Sequence, residues 1–189
     1  MKILYFDTET TGLDEARNDI IQIAGIVEID GQEMERFEFR IAPRPENEEF
    51  ISQEALDIHG FALDDIKSWE KPNVIHQQLN ELFGKYVDKF NKADKFYPAG
   101  FNVDFDLRFL RQFYIKCGDK YFGSWFHAFP IDPLPVLRML HAFGITTFEN
   151  YKLSTVASEY GIELKAHDAL SDIEATREII GIIKDRYLK

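Results

Sequence analysis

The sequence predicts an α/β fold in which a mixed sheet carries helices on both of its faces. Strand-like segments dominate the first third of the 189-residue chain, and helical segments alternate with short strands in the rest. Antiparallel strands followed by alternating helices and strands are typical of such a sheet. Hydrophobic residues make up 45% and charged residues 29% of the chain, as in ordinary globular proteins. We therefore expect one domain, spanning residues 1–189, that buries its own core.

Three strands are predicted in the N-terminal third. Residues 2–7 form a short apolar run, and residues 20–29 (IIQIAGIVEI) are rich in β-branched side chains. The dipeptide Asp30-Gly31 follows, and it favours a type I′ turn because both central positions of that turn need a positive φ. Residues 32–41 then alternate between polar and apolar side chains, which predicts the return strand of a hairpin.

The rest of the chain shows mostly helical spacing of its apolar residues. Helices are predicted at 53–59, 63–70, 73–91, 103–115, 133–143, 153–160 and 169–187, and short strands at 95–101 and 129–132. The segment 42–50 contains two prolines and no period, so it is predicted to be a loop. Asn102 is the expected N-cap of the helix 103–115, and Asp168 is the expected N-cap of the last helix.

The charge balance limits how the protein can bind its ligands. The chain has 22 Lys and Arg against 33 Asp and Glu, a net charge of −11. Such an acidic chain does not hold nucleic acid by a general basic surface, so a phosphate ligand would need bound metal ions. The single cysteine, Cys117, excludes an internal disulfide framework and fits a reducing compartment. No segment resembles a signal peptide or a membrane span, so we expect a cytoplasmic protein with no membrane partner.

Three carboxylates occupy crowded or apolar positions. Asp7 and Glu9 lie two residues apart at the end of the first predicted strand, and strand geometry would place them on the same face about 6–7 Å apart. Asp106 shares the apolar face of its helix with Phe109 and Leu110, where an unpaired carboxylate is unfavourable. A solvated strand end would account for the first pair equally well, and a helix start that is not yet buried is the alternative for Asp106.

His167 and Asp172 form a further candidate pair. Five residues of ideal helix leave two side chains about 140° apart, so both reach one site only if His167 lies in the loop before the helix. Asp172 then falls near the first turn, where the helix dipole favours its ionised form. Taken alone, a histidine before a helix is more often a surface residue, and Asp172 is equally well interpreted as a solvated acid.

Together these groups match the requirements of metal-dependent phosphodiester hydrolysis. Carboxylates commonly hold two metal ions about 3.5–4 Å apart in enzymes of this kind. Hard oxygen ligands favour magnesium or manganese over zinc. A nearby histidine can take the proton from the attacking water at neutral pH. The metal ions would also turn an acidic pocket into a phosphate site.

Three segments, in order, are similar to the motifs of the DEDDh-type (DnaQ-like) 3′–5′ exonucleases. FDTETTGL resembles the first motif, GFNVDFDLRFL the second and HDALSDIEAT the third, while EALDIHGF resembles the Ile-His-Gly stretch of the family. The similarity runs over nearly the whole chain. The family includes the proofreading subunit of bacterial replicative DNA polymerase, and the resemblance implies a single exonuclease domain.

The resemblance also implies a fold, a cofactor and a site. The implied fold is RNase H-like, with a five-stranded mixed sheet. The implied cofactor is a pair of divalent ions, Mg²⁺ or Mn²⁺, with His167 as the general base. The metal ligands in this chain would be Asp7, Glu9, Asp106 and Asp172. The pocket for the 3′-terminal nucleotide would be lined by Thr10, Thr11, Gly12, Leu13, His59, Asn102 and Phe105.

Several of these pocket residues also fit ordinary structural roles. The dipeptide Thr11-Gly12 forms a good turn in any fold. Phe105 is more often a core residue than a ligand contact, and His59 before Gly60 could simply end a helix.

The leading functional hypothesis is release of 5′-mononucleotides from the 3′ ends of single-stranded DNA, in repair, proofreading or turnover. Single-stranded 3′ ends would be the main partner, with a transient polymerase contact as a second one. The same chemistry on RNA stays open, because the sequence exposes no recognisable contact to a 2′-hydroxyl. A non-catalytic module that binds nucleic-acid ends is opposed by the intact set of acids and histidine. A zinc hydrolase is opposed by the ligand spacing of the remaining histidines.

Overall fold

The computed structural model describes residues 1–165 and 168–187 and contains a mixed sheet flanked by helices. The strands are β1 Lys2–Thr10, β2 Ile20–Ile29, β3 Gln32–Arg40 and β4 Tyr97–Ala99. The helices are α1 Gln53–His59, α2 Leu63–Lys67, α3 Pro72–Gly84, α4 Asp104–Lys116, α5 Pro133–Ala142, α6 Leu153–Tyr160 and α7 Ala169–Tyr187. A short 3₁₀ helix at Pro45–Phe50 lies in the segment predicted to be a loop, and a second one spans Phe122–Ser124. No helix in the described ranges is long and apolar enough to cross a membrane.

The strand order is β3-β2-β1-β4, with β1 antiparallel to β2 and parallel to β4. The β2–β3 hairpin turns at Asp30 and Gly31, which have φ values of 52° and 83°. Two consecutive positive φ values are what the sequence predicts for this turn. Pairing of β1 with β2 extends to Thr10 opposite Ile20, so the end of β1 lies beside the start of β2.

The sheet in the described residues has four strands, and the expectation of five is wrong. The fifth strand, expected at 129–132, is reduced to an isolated bridge between Ile131 and Ala99. Pro130 and Pro133 lie on either side of this bridge. Ile131 donates its N–H to the Pro98 carbonyl oxygen, and Pro133, the next residue that would donate on this side, has no N–H, so the ladder does not continue past this bridge. In the other direction, a second isolated bridge joins Phe126 to Phe96.

Several helix boundaries also differ from the prediction, and α2 ends at Lys67 and not at residue 70. Helix α3 ends at Gly84 and not at residue 91, and the apolar side chain of Phe90 is exposed. Helix α4 begins after Val103 without a side-chain cap, so Asn102 is not its N-cap. Asn102 has a φ of 59°, and the Asp132 carboxylate accepts the backbone N–H groups of Asn102 and Val103. The predicted cap of α7 is confirmed, because the Ser171 N–H donates to Asp168 Oδ1 at 3.0 Å.

The core lies on both faces of the sheet. On one face, Leu4 and Phe6 of β1 pack in a large aromatic core with residues of α3 and α4. On the other face, Ile3 and Tyr5 pack with Ile173 of α7. Because side chains alternate along a strand, Asp7 and Glu9 continue the α7 face while Thr8 continues the α4 face. The end of β1 is therefore the point where side chains of both helices can meet.

Candidate active site

Asp106 connects α4 to the end of β1. It lies in the first turn of α4, and its side chain is buried, with the residue only 4% exposed. The Thr8 N–H and the Thr8 hydroxyl both donate to Asp106 Oδ1, at 3.0 and 2.6 Å. Burial raises the pKa of Asp106 to about 7, although the two hydrogen bonds from Thr8 act in the opposite direction. The two hydrogen bonds from Thr8 thus stabilise a carboxylate on the otherwise apolar face of α4.

Asp172 reaches the same region from the first turn of α7. Burial, and then the charge of Asp168, raise the pKa of Asp172 to about 6. Its Oδ1 atom is buried and has no hydrogen-bond partner among the described residues. A buried carboxylate oxygen without a donor is unfavourable unless something else binds it. His167, the predicted general base, lies outside the described residues.

Asp7 and Glu9 complete a group of four acids that act on one another. Burial raises the pKa of Asp7 well above its usual range, and the charges of Asp106, Glu9 and Asp172 raise it further. Burial also raises the pKa of Glu9 to about 7, followed by the charges of Asp172 and Asp106. The structure therefore brings together all four of the predicted metal ligands, which we call the acidic quartet.

The donor set of the acidic quartet fits hard divalent cations. Carboxylate oxygens are the preferred protein ligands of Mg²⁺ and Mn²⁺, and the buried Oδ1 of Asp172 has no competing hydrogen bond among the described residues. A cation would also favour the ionised form of these four carboxylates, whose pKa values burial raises. No three His, Cys, Asp or Glu side chains in the described ranges already have the geometry of a metal site. The ligand assignment therefore depends on the proximity and chemistry of the quartet.

A pocket of about 220 Å³ opens beside Glu9. Five of the residues predicted to contact the terminal nucleotide line it: Thr10, Gly12, Leu13, His59 and Phe105. Leu13 lines this pocket with an apolar side chain, and the residue is 81% exposed. His59 is buried, and its Nδ1 atom accepts the N–H of Phe61 at 3.1 Å. We call this cavity the terminal pocket.

Thr11 and Asn102 are not among the residues that line the terminal pocket. Thr11 is buried behind it and exchanges two hydrogen bonds with Asp19. Asn102 is exposed, in the turn before α4.

Sequence reasoning missed one side of the terminal pocket, which α1 and its N-cap provide. The additional lining residues are Ser52, Glu54, Ala55 and Ile58. Ala55, Ile58 and His59 have the i, i+3, i+4 spacing of one helix face, so the predicted position of His59 could have identified the other two.

Comparison with known proteins places the chain among nucleases. The sequence model of the exonuclease family matches residues 4–180. The chain is 30% identical over 186 residues to the PolC-type DNA polymerase III of Halalkalibacterium halodurans and 28% identical over 183 residues to that of Listeria innocua. These alignments cover 97% and 95% of this chain but only 11% of each polymerase.

Solved structures show the same fold. Escherichia coli Exonuclease I in complex with a dT13 oligonucleotide superposes with a TM-score of 0.81 at 23% identity, over 98% of this chain and 41% of that chain. The zinc-bound form of Exonuclease I in complex with single-stranded DNA gives a TM-score of 0.77 at 21% identity, over 100% of this chain and 41% of that chain. The RNase H-like fold that the sequence predicts is thereby confirmed.

Proposed function

This chain belongs to the exonuclease family, and we propose that it is a metal-dependent 3′–5′ exonuclease that releases 5′-mononucleotides from single-stranded DNA. The observation that carries the proposal is the acidic quartet beside the terminal pocket. Burial raises the pKa of all four carboxylates, and the charges of the other members raise the pKa of Asp7 and Glu9 further; such groups are costly to keep together, and enzymes retain them for catalysis or metal binding.

In the proposed mechanism, Asp7, Glu9, Asp106 and Asp172 hold two divalent ions. When bound, the ions supply Lewis-acid stabilisation of the phosphodiester and activation of water. Thr8 holds the Asp106 carboxylate in place through two hydrogen bonds to one oxygen, which limits the rotation of that ligand. The terminal pocket orients the last nucleotide, so that its phosphodiester lies beside Glu9.

We assign the proton transfer to His167, which directly precedes the capping residue Asp168 in the sequence. A neutral imidazole accepts the proton of the attacking water as the new phosphorus–oxygen bond forms. The 3′ oxygen of the penultimate nucleotide then leaves, and the product is a 5′-mononucleotide. This assignment depends on the resemblance of the third motif to that of the exonuclease family.

The choice of single-stranded DNA is supported by the comparisons. Exonuclease I shares the fold and binds single-stranded oligonucleotides in its solved complexes. The PolC-type relatives are DNA polymerases, which supports DNA as the substrate and a transient polymerase contact as a further interaction. A single terminal pocket accepts an unpaired end more readily than a paired one.

The test is digestion of matched DNA and RNA oligonucleotides, labelled at the 5′ end, in Mg²⁺ or in excess chelator. A ladder of shortened, still labelled DNA products that depends on Mg²⁺ is expected. Asp106→Asn should abolish the ladder, whereas Asp104→Asn should leave it unchanged. Asp104 is a matched control because it lies in the same helical turn, but its side chain is 81% exposed. Equal loss in both variants, or full activity in chelator, would contradict the proposal.

A further inference from the structure

A second buried acid lies close to the terminal pocket but outside the acidic quartet. Asp19 precedes β2, and the residue is only 2% exposed. Its carboxylate accepts the Arg44 N–H at 2.9 Å, Arg44 Nη1 at 3.0 Å, Asn47 Nδ2 at 2.9 Å and Lys116 Nζ at 3.1 Å. We call Asp19, Arg44, Asn47 and Lys116 the Asp19 cluster. It joins the start of β2, the segment after β3 and the end of α4.

The backbone of Asp19 is hydrogen-bonded to Thr11 in the segment Thr10–Leu13, which we call the wall of the terminal pocket. Its N–H donates to Thr11 Oγ1 at 2.9 Å, and its carbonyl oxygen accepts the Thr11 N–H at 2.9 Å. Thr11 lies between Thr10 and Gly12, which both line the pocket. The Thr11 carbonyl oxygen also accepts the N–H of Ser52, the N-cap of α1, at 2.8 Å. Thr11 therefore connects the Asp19 cluster to two sides of the pocket.

The loop between Thr11 and Asp19 is closely packed as well. A Cβ atom at Gly12 would lie 2.6 Å from Asn18 Oδ1, so the wall approaches Asn18 as closely as a glycine allows. Lys116 Nζ, a member of the Asp19 cluster, also donates to the Asn18 carbonyl oxygen at 2.6 Å. Lys116 ends the helix that carries Phe105 near its start, on another side of the pocket. The cluster thus fixes the wall relative to α4.

We propose that Asp19 is a positioning residue that holds the wall Thr10–Leu13 where the 3′-terminal nucleotide binds, and so determines the affinity for that end. The inference rests on the proposed exonuclease function. A buried carboxylate paired with two cations is strongly unfavourable to disrupt, so the wall is held in place before substrate arrives. A preformed wall loses less conformational freedom on binding, which strengthens the binding of substrate.

The test compares Asp19→Asn with the wild type on a single-stranded, 5′-labelled oligonucleotide in Mg²⁺. We expect a higher KM and a fall in kcat/KM of about 10–100-fold, because a displaced wall weakens binding. The kcat should change much less, since the quartet lies on other residues. A matched control is Glu28→Gln, which disrupts a buried acid that accepts Arg177 Nε at 2.8 Å near the other end of β2. That variant should lose thermal stability but keep the wild-type KM.

A double variant separates positioning from general stability. In Asp19→Asn with Lys116→Met, one of the two cations that the first change leaves unpaired is removed, so thermal stability should partly recover. The KM should stay high, because the carboxylate contacts that anchor Asp19, and through its backbone Thr11, are still lost. A KM that returns to the wild-type value with stability, or an equal rise in Glu28→Gln, would overturn the proposal.

A milder pair covers the case in which Asp19→Asn does not fold. Thr11→Val removes the hydroxyl that accepts the Asp19 N–H and leaves the buried charges intact, so it should raise KM. Thr11→Ser keeps an acceptor and should stay near the wild-type KM. Equal KM values in the two would overturn the inference while leaving the exonuclease proposal intact. A wild-type protein that shortens no oligonucleotide would instead refute the exonuclease function, and this inference with it.

Discussion

The single buried acid Asp19 and the four acids of the quartet lie at the same end of the sheet, but their charges are stabilised in different ways. Asp19 lies just before β2, where the cations of Arg44 and Lys116 balance its carboxylate. The acidic quartet lies around the end of β1, and no Lys or Arg among the described residues contributes to the pKa shifts of its members. The comparison indicates that the first acid stabilises the fold, whereas the quartet is retained for what it binds.

The largest difference between the two groups should be in turnover. We expect Asp7→Asn to lower kcat by several orders of magnitude, because the remaining ligands would hold the metal ions in the wrong place. Asp19→Asn should retain most of its kcat. Initial rates at saturating oligonucleotide and Mg²⁺ measure the contrast. A fully active Asp7→Asn protein would contradict a catalytic role for the acidic quartet.

The next largest effect should come from loss of the general base, His167, and not from loss of a metal ligand. His167→Ala should lose roughly 10²–10⁴-fold in kcat, the usual contribution of a positioned acid–base group. Activity of the wild type should fall as the pH drops through the histidine range, since protonation removes the base. Binding of a 3′ end should persist in the variant, because the metal ligands are carboxylates. If the acidic limb of the rate profile were unchanged in His167→Ala, another group would be the base.

Thermal stability should show the opposite order: a change at Asp19 should lower Tm more than a change in the acidic quartet. Asp19→Asn leaves two buried cations without their acid and should lower Tm by roughly 6–20 °C. Asp106→Asn keeps an acceptor for Thr8 while removing a repelled charge, so its Tm in chelator should equal or exceed that of the wild type. Calorimetry on the two variants, each with wild type alongside, measures this. A comparable loss of Tm in both would show that the quartet is also structural.

The smallest effect is the pH dependence of stability. The pKa of Asp106 is raised to about 7 in the folded protein, so between its unfolded and folded pKa values the folded state binds more protons. Its contribution to stability is therefore present at low pH and is lost as the pH rises through about 7. In chelator, the wild type should lose stability over this window more steeply than Asp106→Asn. Mg²⁺ should reduce the difference, and identical slopes in chelator would contradict the assigned shift.

The four acids of the quartet could be singled out because each lies in a short local pattern, whereas the residues of the terminal pocket were implied by the resemblance to the exonuclease motifs. Asp7 and Glu9 are a strand pair, Asp106 lies on an apolar helix face, and Asp172 follows a helix cap. The Asp19 cluster has no such pattern. Its members are separated by as many as 97 residues, as between Asp19 and Lys116, and none of them belongs to a motif.

By itself, the sequence determined the hairpin at Asp30-Gly31, the length of α7 and the four acids, because strand period, helix period and turn chemistry act between near neighbours. Tertiary structure alone decided that α3 stops at Gly84, that the fifth strand is reduced to isolated bridges, and that the Asp132 carboxylate accepts the N–H groups of Asn102 and Val103 before α4. The tertiary structure also determined which acid is paired with cations. The burial and pairing of a charge depend on residues that only the folded chain brings together.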